Sequence, residues 1–191
     1  MRATFESWLH RQWTKRGLLA WALSPLSVVF LCIARNRRMK TKPHRLPVPV
    51  VVVGNIYVGG TGKTPVTIAL VKELVKRGYH PGVVSRGFGR KEDAPQMVLP
   101  DSPAVKVGDE PLLIARQTQV PVAVARDRVA AALLLLDKHP ECDLIISDDG
   151  LQHYALARDV ELAVVGARGL GNGWVLPAGP LREPPSRLDE V

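Results

Sequence analysis

The sequence predicts an α/β fold, a mostly parallel sheet with helices on both faces, preceded by an N-terminal apolar helix. Three observations lead to this prediction. An apolar run at 50–54 enters a glycine-rich turn and then an amphipathic helical pattern. Strand and helix patterns alternate from there to residue 165, which is typical of a parallel sheet. An uncharged stretch at 17–34 comes before both.

The charge of the chain is concentrated at its N-terminus. Residues 1–45 hold ten Lys/Arg and one acidic residue, whereas residues 46–191 hold sixteen Lys/Arg and seventeen acidic residues. The basic residues flank an apolar segment and are not interleaved with aromatic residues as in a nucleic-acid groove. We therefore expect a membrane surface as partner and no nucleic acid. Cys32 and Cys142 have no metal or redox spacing, so we expect them to be reduced.

Residues 1–45 are predicted to be a membrane-associating arm, and residues 46–191 a single domain. The stretch 17–34 would form a helix ~27 Å long, slightly short for a bilayer core of ~30 Å. Pro25 lies near its middle and would kink it. Positive charge on both sides favours a helix lying in the cytoplasmic face of the membrane. A spanning helix, a signal peptide and a buried helix of a soluble domain are the alternatives.

The turn after the first strand has the pattern of a P-loop. Its glycines allow backbone N–H groups to approach phosphate oxygens, and the following helix adds a favourable dipole. Lys63 is placed to reach the β- and γ-phosphates, and the Thr64 hydroxyl to bind Mg²⁺. The predicted nucleotide-binding residues are Tyr57, Val58, Gly59, Gly60, Thr61, Gly62, Lys63 and Thr64.

This pattern makes the fold class that of a P-loop NTPase, with ATP and Mg²⁺ as expected cofactors. The match is incomplete, because the full pattern has glycine where Tyr57 stands. The alternative is a glycine-rich turn that carries a surface lysine. Nucleotide binding also disfavours a signal peptide, since export would separate the loop from ATP.

The remaining elements follow from periodicity and from breaker residues. Predicted helices lie at 65–79, 110–117 and 127–138, and predicted strands at 82–85, 120–125, 143–147 and 160–165. Residues 166–191 are rich in Gly and Pro and are predicted to be loop. Ligands of such sheets bind at the carboxyl ends of the strands.

Asp148 and Asp149, the acid pair, end one of these strands. A P-loop enzyme needs an acid at this place to hold Mg²⁺, directly or through water. The alternative is a turn or helix-capping role. The residues do not show which of the two acids is the primary ligand.

Other polar residues lie near predicted strand ends or helix starts. By spacing alone, Asp109 is better explained as a helix cap than as a catalytic group. Arg126 and Arg128 begin a helix, where the dipole disfavours cations, so a phosphate partner is indicated for at least one. The candidate substrate residues are Arg86, in a Gly/Arg loop, Arg126, and Gln152 and His153 after the acid pair.

Five runs together resemble tetraacyldisaccharide 4'-kinase, the lipid A 4'-kinase family of Gram-negative bacteria. The runs are GNIYVGGTGKTP, VVSRGFGR, GDEP, DDGLQHYALARDVE and GNGWVLPAGPLRE, all within 48–187. The resemblance implies transfer of the ATP γ-phosphoryl group to the 4'-hydroxyl of a tetraacylated disaccharide 1-phosphate, which forms lipid IVA. It implies an acylated disaccharide 1-phosphate lipid as substrate and the cytoplasmic face of the inner membrane as location.

The resemblance also assigns roles to residues. It makes Asp109 the catalytic base and Tyr57 a family feature, and it adds Arg182 and Glu183 as substrate candidates. Family members carry a second α/β lobe with a histidine that assists the base, so we expect this chain to be truncated. The alternatives are a membrane-associated P-loop ATPase switch, which usually has lysine where Val58 stands, and an inactive nucleotide-binding module.

Overall fold

A computed structural model describes residues 11–90 and 92–191. The chain divides into two compact units. The helix unit holds the described part of Met1–Thr41 together with Asn55–Thr61 and Val165–Val191, and the sheet unit holds Lys42–Gly54 and Gly62–Val164. This grouping cuts across the division at residue 45, because the N-terminal helix packs against residues 172–190. The first ten residues of the predicted arm lie outside the described residues.

Six strands of the sheet unit form one sheet in the order β3-β4-β2-β5-β1-β6. The strands are β1 (Val50–Gly54), β2 (Pro81–Ser85), β3 (Gln96–Val98), β4 (Val122–Val124), β5 (Leu144–Asp148) and β6 (Val160–Ala163). Strand β3 runs antiparallel to β4, and the other neighbouring pairs are parallel. The predicted mostly parallel sheet is therefore confirmed.

Among the described residues of the sheet unit, four helices cover both faces of the sheet. They are α2 (Lys63–Lys76), α3 (Ala104–Val107), α4 (Asp109–Thr118) and α5 (Arg128–Lys138). Helices α2 and α4 pack on the face that carries Val83 and Ile146. On the opposite face Leu135 of α5 fills the space beside Gly82 and Ile145.

The structure adds short elements that the periodicity did not predict. Strand β3 has three residues and α3 has four, too few for a period to be recognised. The helix expected over 65–79 begins at Lys63 and ends at Lys76, just before Gly78, whose φ is +86°. The predicted loop 166–191 contains a 3₁₀ helix, Pro185–Glu190.

The helix unit contains α1, Leu18–Lys40, which is continuous through Pro25. Proline lacks the N–H that would bond the carbonyl of Trp21. The Ser24 hydroxyl donates to that carbonyl at 2.8 Å, so the acceptor stays satisfied within a helix that continues past Pro25. By length and composition, α1 is the one helix in the described ranges that is apolar enough to cross a membrane.

One stripe of α1 packs inside the helix unit. Ser27 is buried; its hydroxyl donates to the Val175 carbonyl at 2.9 Å and accepts from the Ala178 N–H at 3.0 Å. The ring of Trp21 meets that of Trp174 edge to face, with centroids 4.8 Å apart. The middle of α1 is therefore attached to the polypeptide of its own unit.

Candidate active site

The site in the sheet unit lies where β1 and β5 end side by side. The two strands are parallel, with Val53 opposite Asp148, so the acid pair follows β5 next to the end of β1. Lys63 and Thr64 form the first turn of α2, after Gly62 in the left-handed conformation. The Lys63 Nζ lies 3.5 Å from Asp149 Oδ1, and the lysine side chain is 11% exposed. The structure thus brings the P-loop lysine and the acid pair together.

Asp148 is the buried member of the acid pair, with 1% of its surface exposed. Its Oδ1 accepts a hydrogen bond from the Thr67 hydroxyl at 2.8 Å. Its Oδ2 is buried and has no hydrogen-bond partner among the described residues. Burial raises the pKa of Asp148 to about 6, aided by the negative charges of Glu110 and Asp149 and opposed by the Thr67 hydrogen bond and Lys63. An unsatisfied carboxylate oxygen of this kind fits a hard cation that prefers oxygen ligands.

Asp149 has an uncommon backbone conformation, with φ of +48°. Its carbonyl accepts a hydrogen bond from Nη2 of Arg128 at 3.0 Å. Arg128 itself is 6% exposed, and burial lowers the pKa of its guanidinium to about 10, so it stays charged at neutral pH. The sequence pattern indicated a phosphate partner for Arg126 or Arg128 and gave Arg128 no place beside the acid pair.

Thr67 is a second residue that sequence reasoning missed. It lies one turn after Lys63 on α2 and is fully buried against Asp148. A polar residue on the otherwise apolar buried stripe of an amphipathic helix was the available signal.

His153 is held by the start of α5. Its Nε2 accepts the backbone N–H of Arg128 at 3.2 Å and lies 3.4 Å from Asp127 Oδ1. Burial, and then the charge of Arg128, lowers the pKa of His153 to about 4, so the ring is neutral at pH 7. The Arg128 N–H therefore occupies Nε2, the ring nitrogen that would accept a proton. This hydrogen bond connects the loop after the acid pair to α5. Gln152, the residue before His153, is half-buried.

Asp109 is exposed at the first position of α4. The N-cap is Gly108, with φ of +92° and no side-chain capping bond, so the capping interpretation of Asp109 is wrong. The charge of Glu110, the next residue, acts on Asp148 and raises its pKa. The start of α4 therefore lies within electrostatic range of the acid pair.

The two arginine candidates of the sheet unit are both exposed. Arg86 follows β2, and its charge acts on Arg128 and lowers the pKa of that residue. Arg126 forms an ion pair with Asp93 at 3.7 Å, and both side chains are largely exposed. Arg128, in contrast, is buried and hydrogen-bonds the Asp149 carbonyl.

The helix unit carries the first part of the P-loop, residues 55–61. The Asn55 amide donates to the Thr61 hydroxyl at 2.8 Å, which braces the loop internally. The Val58 N–H donates to the Pro180 carbonyl at 2.8 Å. Tyr57 is buried and forms an antiparallel bridge with Leu181, which explains why a large residue replaces glycine there. Asn55 was missed, although asparagine after a strand is a recognised turn signal.

The run that contains Arg182 and Glu183 pairs with the same loop. The Arg182 N–H donates to the Ile56 carbonyl at 2.6 Å. Glu183 is buried and lies 3.4 Å from the guanidinium of Arg187. A cavity of about 190 Å³ adjoins the loop. It is lined by Tyr57, Gly60, Thr61, Gly166, Ala167, Arg168 and Gly169.

The family of the chain follows from comparison with known proteins. Residues 19–191 match the family described as tetraacyldisaccharide-1-P 4'-kinase, LpxK. The chain belongs to this family. Two curated relatives named tetraacyldisaccharide 4'-kinase, from Herminiimonas arsenicoxydans and a Janthinobacterium species, are 59% and 58% identical to it. Each alignment covers 97% of this chain but only 54% and 55% of the relative, so the chain spans about half the length of these LpxK relatives.

A solved LpxK structure has the same fold. It is the "apo" form of LpxK from Aquifex aeolicus in complex with ATP, with a TM-score of 0.81 and 34% identity. The match covers 91% of this chain and 57% of the Aquifex chain. The P-loop fold class and the family resemblance are therefore both confirmed.

Proposed function

We propose that this chain carries the nucleotide-binding and phosphoryl-transfer residues of a tetraacyldisaccharide 4'-kinase. The reaction is transfer of the ATP γ-phosphoryl group to the 4'-hydroxyl of a tetraacyldisaccharide 1-phosphate, which forms lipid IVA. One observation carries the proposal: Lys63 faces the acid pair at the carboxyl ends of two adjacent parallel strands. Membership of the LpxK family supports it.

The proposed cofactors are ATP and Mg²⁺. Loop amides of Tyr57–Thr64 and the Lys63 ammonium would hold the phosphates, in keeping with the ATP named for the Aquifex relative. Thr64, Asp148 and Asp149 offer the oxygen ligands that Mg²⁺ prefers, and the unpartnered Oδ2 of Asp148 fits such an ion. Bound Mg²⁺ would neutralise charge on the transferred phosphoryl group.

Asp109 is the proposed base. Its exposed carboxylate would accept the proton of the 4'-hydroxyl as the new O–P bond forms and the bond to ADP breaks. Nearby polar groups would mainly orient the substrate and stabilise charge. Residues proposed to contact it are Arg86, Arg126, Gln152, His153, Arg182 and Glu183.

The proposed location is the cytoplasmic face of the inner membrane, with α1 lying in the plane of the interface. Ala20 and Ser27 pack inside the helix unit, whereas large apolar residues of α1 face outward. The outward residues include Leu18, Leu26, Val28, Val29, Ile33 and Met39. Ser27 attaches one side of α1 to its own unit, and the last turn of the helix is basic, which suits anionic headgroups.

A transfer assay tests the proposal. The chain is incubated with γ-labelled ATP, Mg²⁺ and the disaccharide 1-phosphate lipid in mixed micelles, beside Asp109→Ala and the surface control Arg77→Lys. We expect label in the lipid for the wild type and the control, and a loss of at least a hundredfold for Asp109→Ala. Equal transfer by Asp109→Ala would refute the role of the base. ATP binding without any transfer would instead identify a nucleotide-binding module, and ATP hydrolysis stimulated by vesicles that lack the disaccharide would identify a switch.

A further inference from the structure

Asp149 needs an external constraint to keep its conformation. A φ of +48° is uncommon for a residue with a side chain. Aspartate tolerates this region better than most residues, yet such conformations persist only where the surroundings determine them. The next residue is tied down, because the Gly150 N–H donates to the Val53 carbonyl at 3.2 Å. The carbonyl of Asp149 itself is held by Arg128.

Arg128 is an unusual residue to find buried. The hydrogen bonds of its guanidinium go to backbone carbonyls, that of Asp149 at 3.0 Å and that of Arg126 at 3.4 Å. Its Nε is buried without a partner among the described residues. Burying a charged group in this way is costly, and the helix dipole at the start of α5 adds to the cost. The negative charges of Asp149, Asp148 and Asp127 offset part of this cost, and the hydrogen bond to the Asp149 carbonyl adds a directional contact.

The position of Arg128 is itself fixed. Its backbone N–H donates to His153 Nε2 at 3.2 Å, and Asp127 caps the helix by accepting from the Val129 N–H at 3.0 Å. The guanidinium therefore extends from the start of α5 to the loop after β5. Its hydrogen bond there constrains the backbone conformation of Asp149. On the other side of that loop, the Asp149 carboxylate faces Lys63 at 3.5 Å.

We propose that Arg128 is a positioning residue that holds Asp149 in the left-handed conformation and so aims its carboxylate at the P-loop lysine. Arg128 acts through Asp149, whose carbonyl it binds. The consequence for nucleotide binding rests on the proposed function, whereas the coupling between Arg128 and Asp149 does not.

A double-mutant cycle on the stability of the whole chain tests the coupling. Glycine adopts positive φ without help, so Asp149→Gly removes the need for a constraint. Lysine keeps the charge of Arg128 but lacks the planar fork that reaches two carbonyls. We expect Arg128→Lys to lower the folded-to-unfolded ratio about tenfold in the wild type and less than threefold in Asp149→Gly, measured by urea unfolding in detergent.

Equal destabilisation in the two backgrounds would show a general structural role and overturn the proposal. If Arg128→Lys alone does not fold, the double variant decides the matter. Folding of the Arg128→Lys/Asp149→Gly chain supports the proposal, and its failure to fold overturns it. Arg77→Lys, at an exposed ion pair with Glu73, is the control. It should change the folded-to-unfolded ratio less than twofold in both the wild-type and the Asp149→Gly background.

Nucleotide affinity gives the second readout. With a fluorescent ATP analogue and Mg²⁺, we expect Arg128→Lys to raise Kd about tenfold in the wild type and less than twofold in Asp149→Gly. Unchanged affinity in Arg128→Lys would overturn the proposal, because Asp149 would then not need to be held. If the wild-type chain binds no nucleotide, the proposed function fails while the stability cycle still decides the role of Arg128.

Discussion

Asp148 should make the protein less stable at neutral pH, and Asp148→Asn should reveal by how much. Its pKa is raised from 3.8 to about 6, first of all by burial. A pKa difference of one unit between the folded and unfolded states corresponds to about 1.4 kcal/mol. The raised pKa of Asp148 therefore lowers the free energy of unfolding by about 3 kcal/mol above pH 6. Because the folded state binds the proton more tightly, the loss is absent below pH 4 and develops between about pH 4 and 6.

Asparagine removes the charge and keeps an oxygen for the Thr67 hydroxyl. Its amide N–H replaces the unpartnered Oδ2 of Asp148, and leaving this donor unsatisfied costs about 1 kcal/mol. We therefore expect a net gain of about 2 kcal/mol in unfolding free energy at pH 7.5 and a loss of about 1 kcal/mol at pH 4. The His153 pKa, lowered to about 4, acts equally on both proteins and cancels in this difference.

The assay is urea unfolding with EDTA at pH 4, 5, 6 and 7.5, comparing the wild type with Asp148→Asn. Asp159→Asn is the matched control, since the Val50 N–H and Arg45 bind that carboxylate and lower its pKa. Asp159→Asn should therefore destabilise the chain at neutral pH, the opposite sign. A difference between Asp148→Asn and the wild type that does not change with pH would refute the reasoning from burial.

Three further substitutions probe other contacts. Gly54→Ala would bring a Cβ within 2.7 Å of Leu151 Cγ, so we expect a loss of about 2 kcal/mol in urea unfolding. Ser27→Ala leaves the buried Ala178 N–H without its acceptor, so we expect a loss of about 2 kcal/mol and faster hydrogen exchange at that amide. Lys63→Met should weaken ATP binding at least tenfold in calorimetry while preserving the fold, and unchanged affinity would contradict its phosphate role.

Much of the sheet unit could be predicted from local pattern. The apolar run at 50–54 is a strand with the predicted bounds, and Lys63 begins the helix that follows the glycine-rich turn. These features are local, because a strand, a turn and a helix are each specified by neighbouring residues. The acid pair was placed at a strand end for the same reason, and β5 ends at Asp148.

The partners of these residues could not be predicted in this way. Thr67 and Arg128 are polar residues on helices, and nothing local shows that one is buried against Asp148 and the other against the Asp149 carbonyl. Asp109 was better explained as a cap by spacing, but the conformation of Gly108 moves the cap back by one residue. Such outcomes depend on contacts between residues distant in the chain.

The sequence by itself determined the family, the order of the longer strands and helices along the chain, and the residue types at the strand ends, because motifs and periodicity are properties of neighbouring positions. The tertiary structure decided which strands became neighbours, and that pairing of β1 with β5 set Lys63 against Asp149. It also decided protonation, since the raised pKa of Asp148 and the lowered pKa of His153 arise first from burial. Burial depends on the complete packing of the chain, which no local pattern contains.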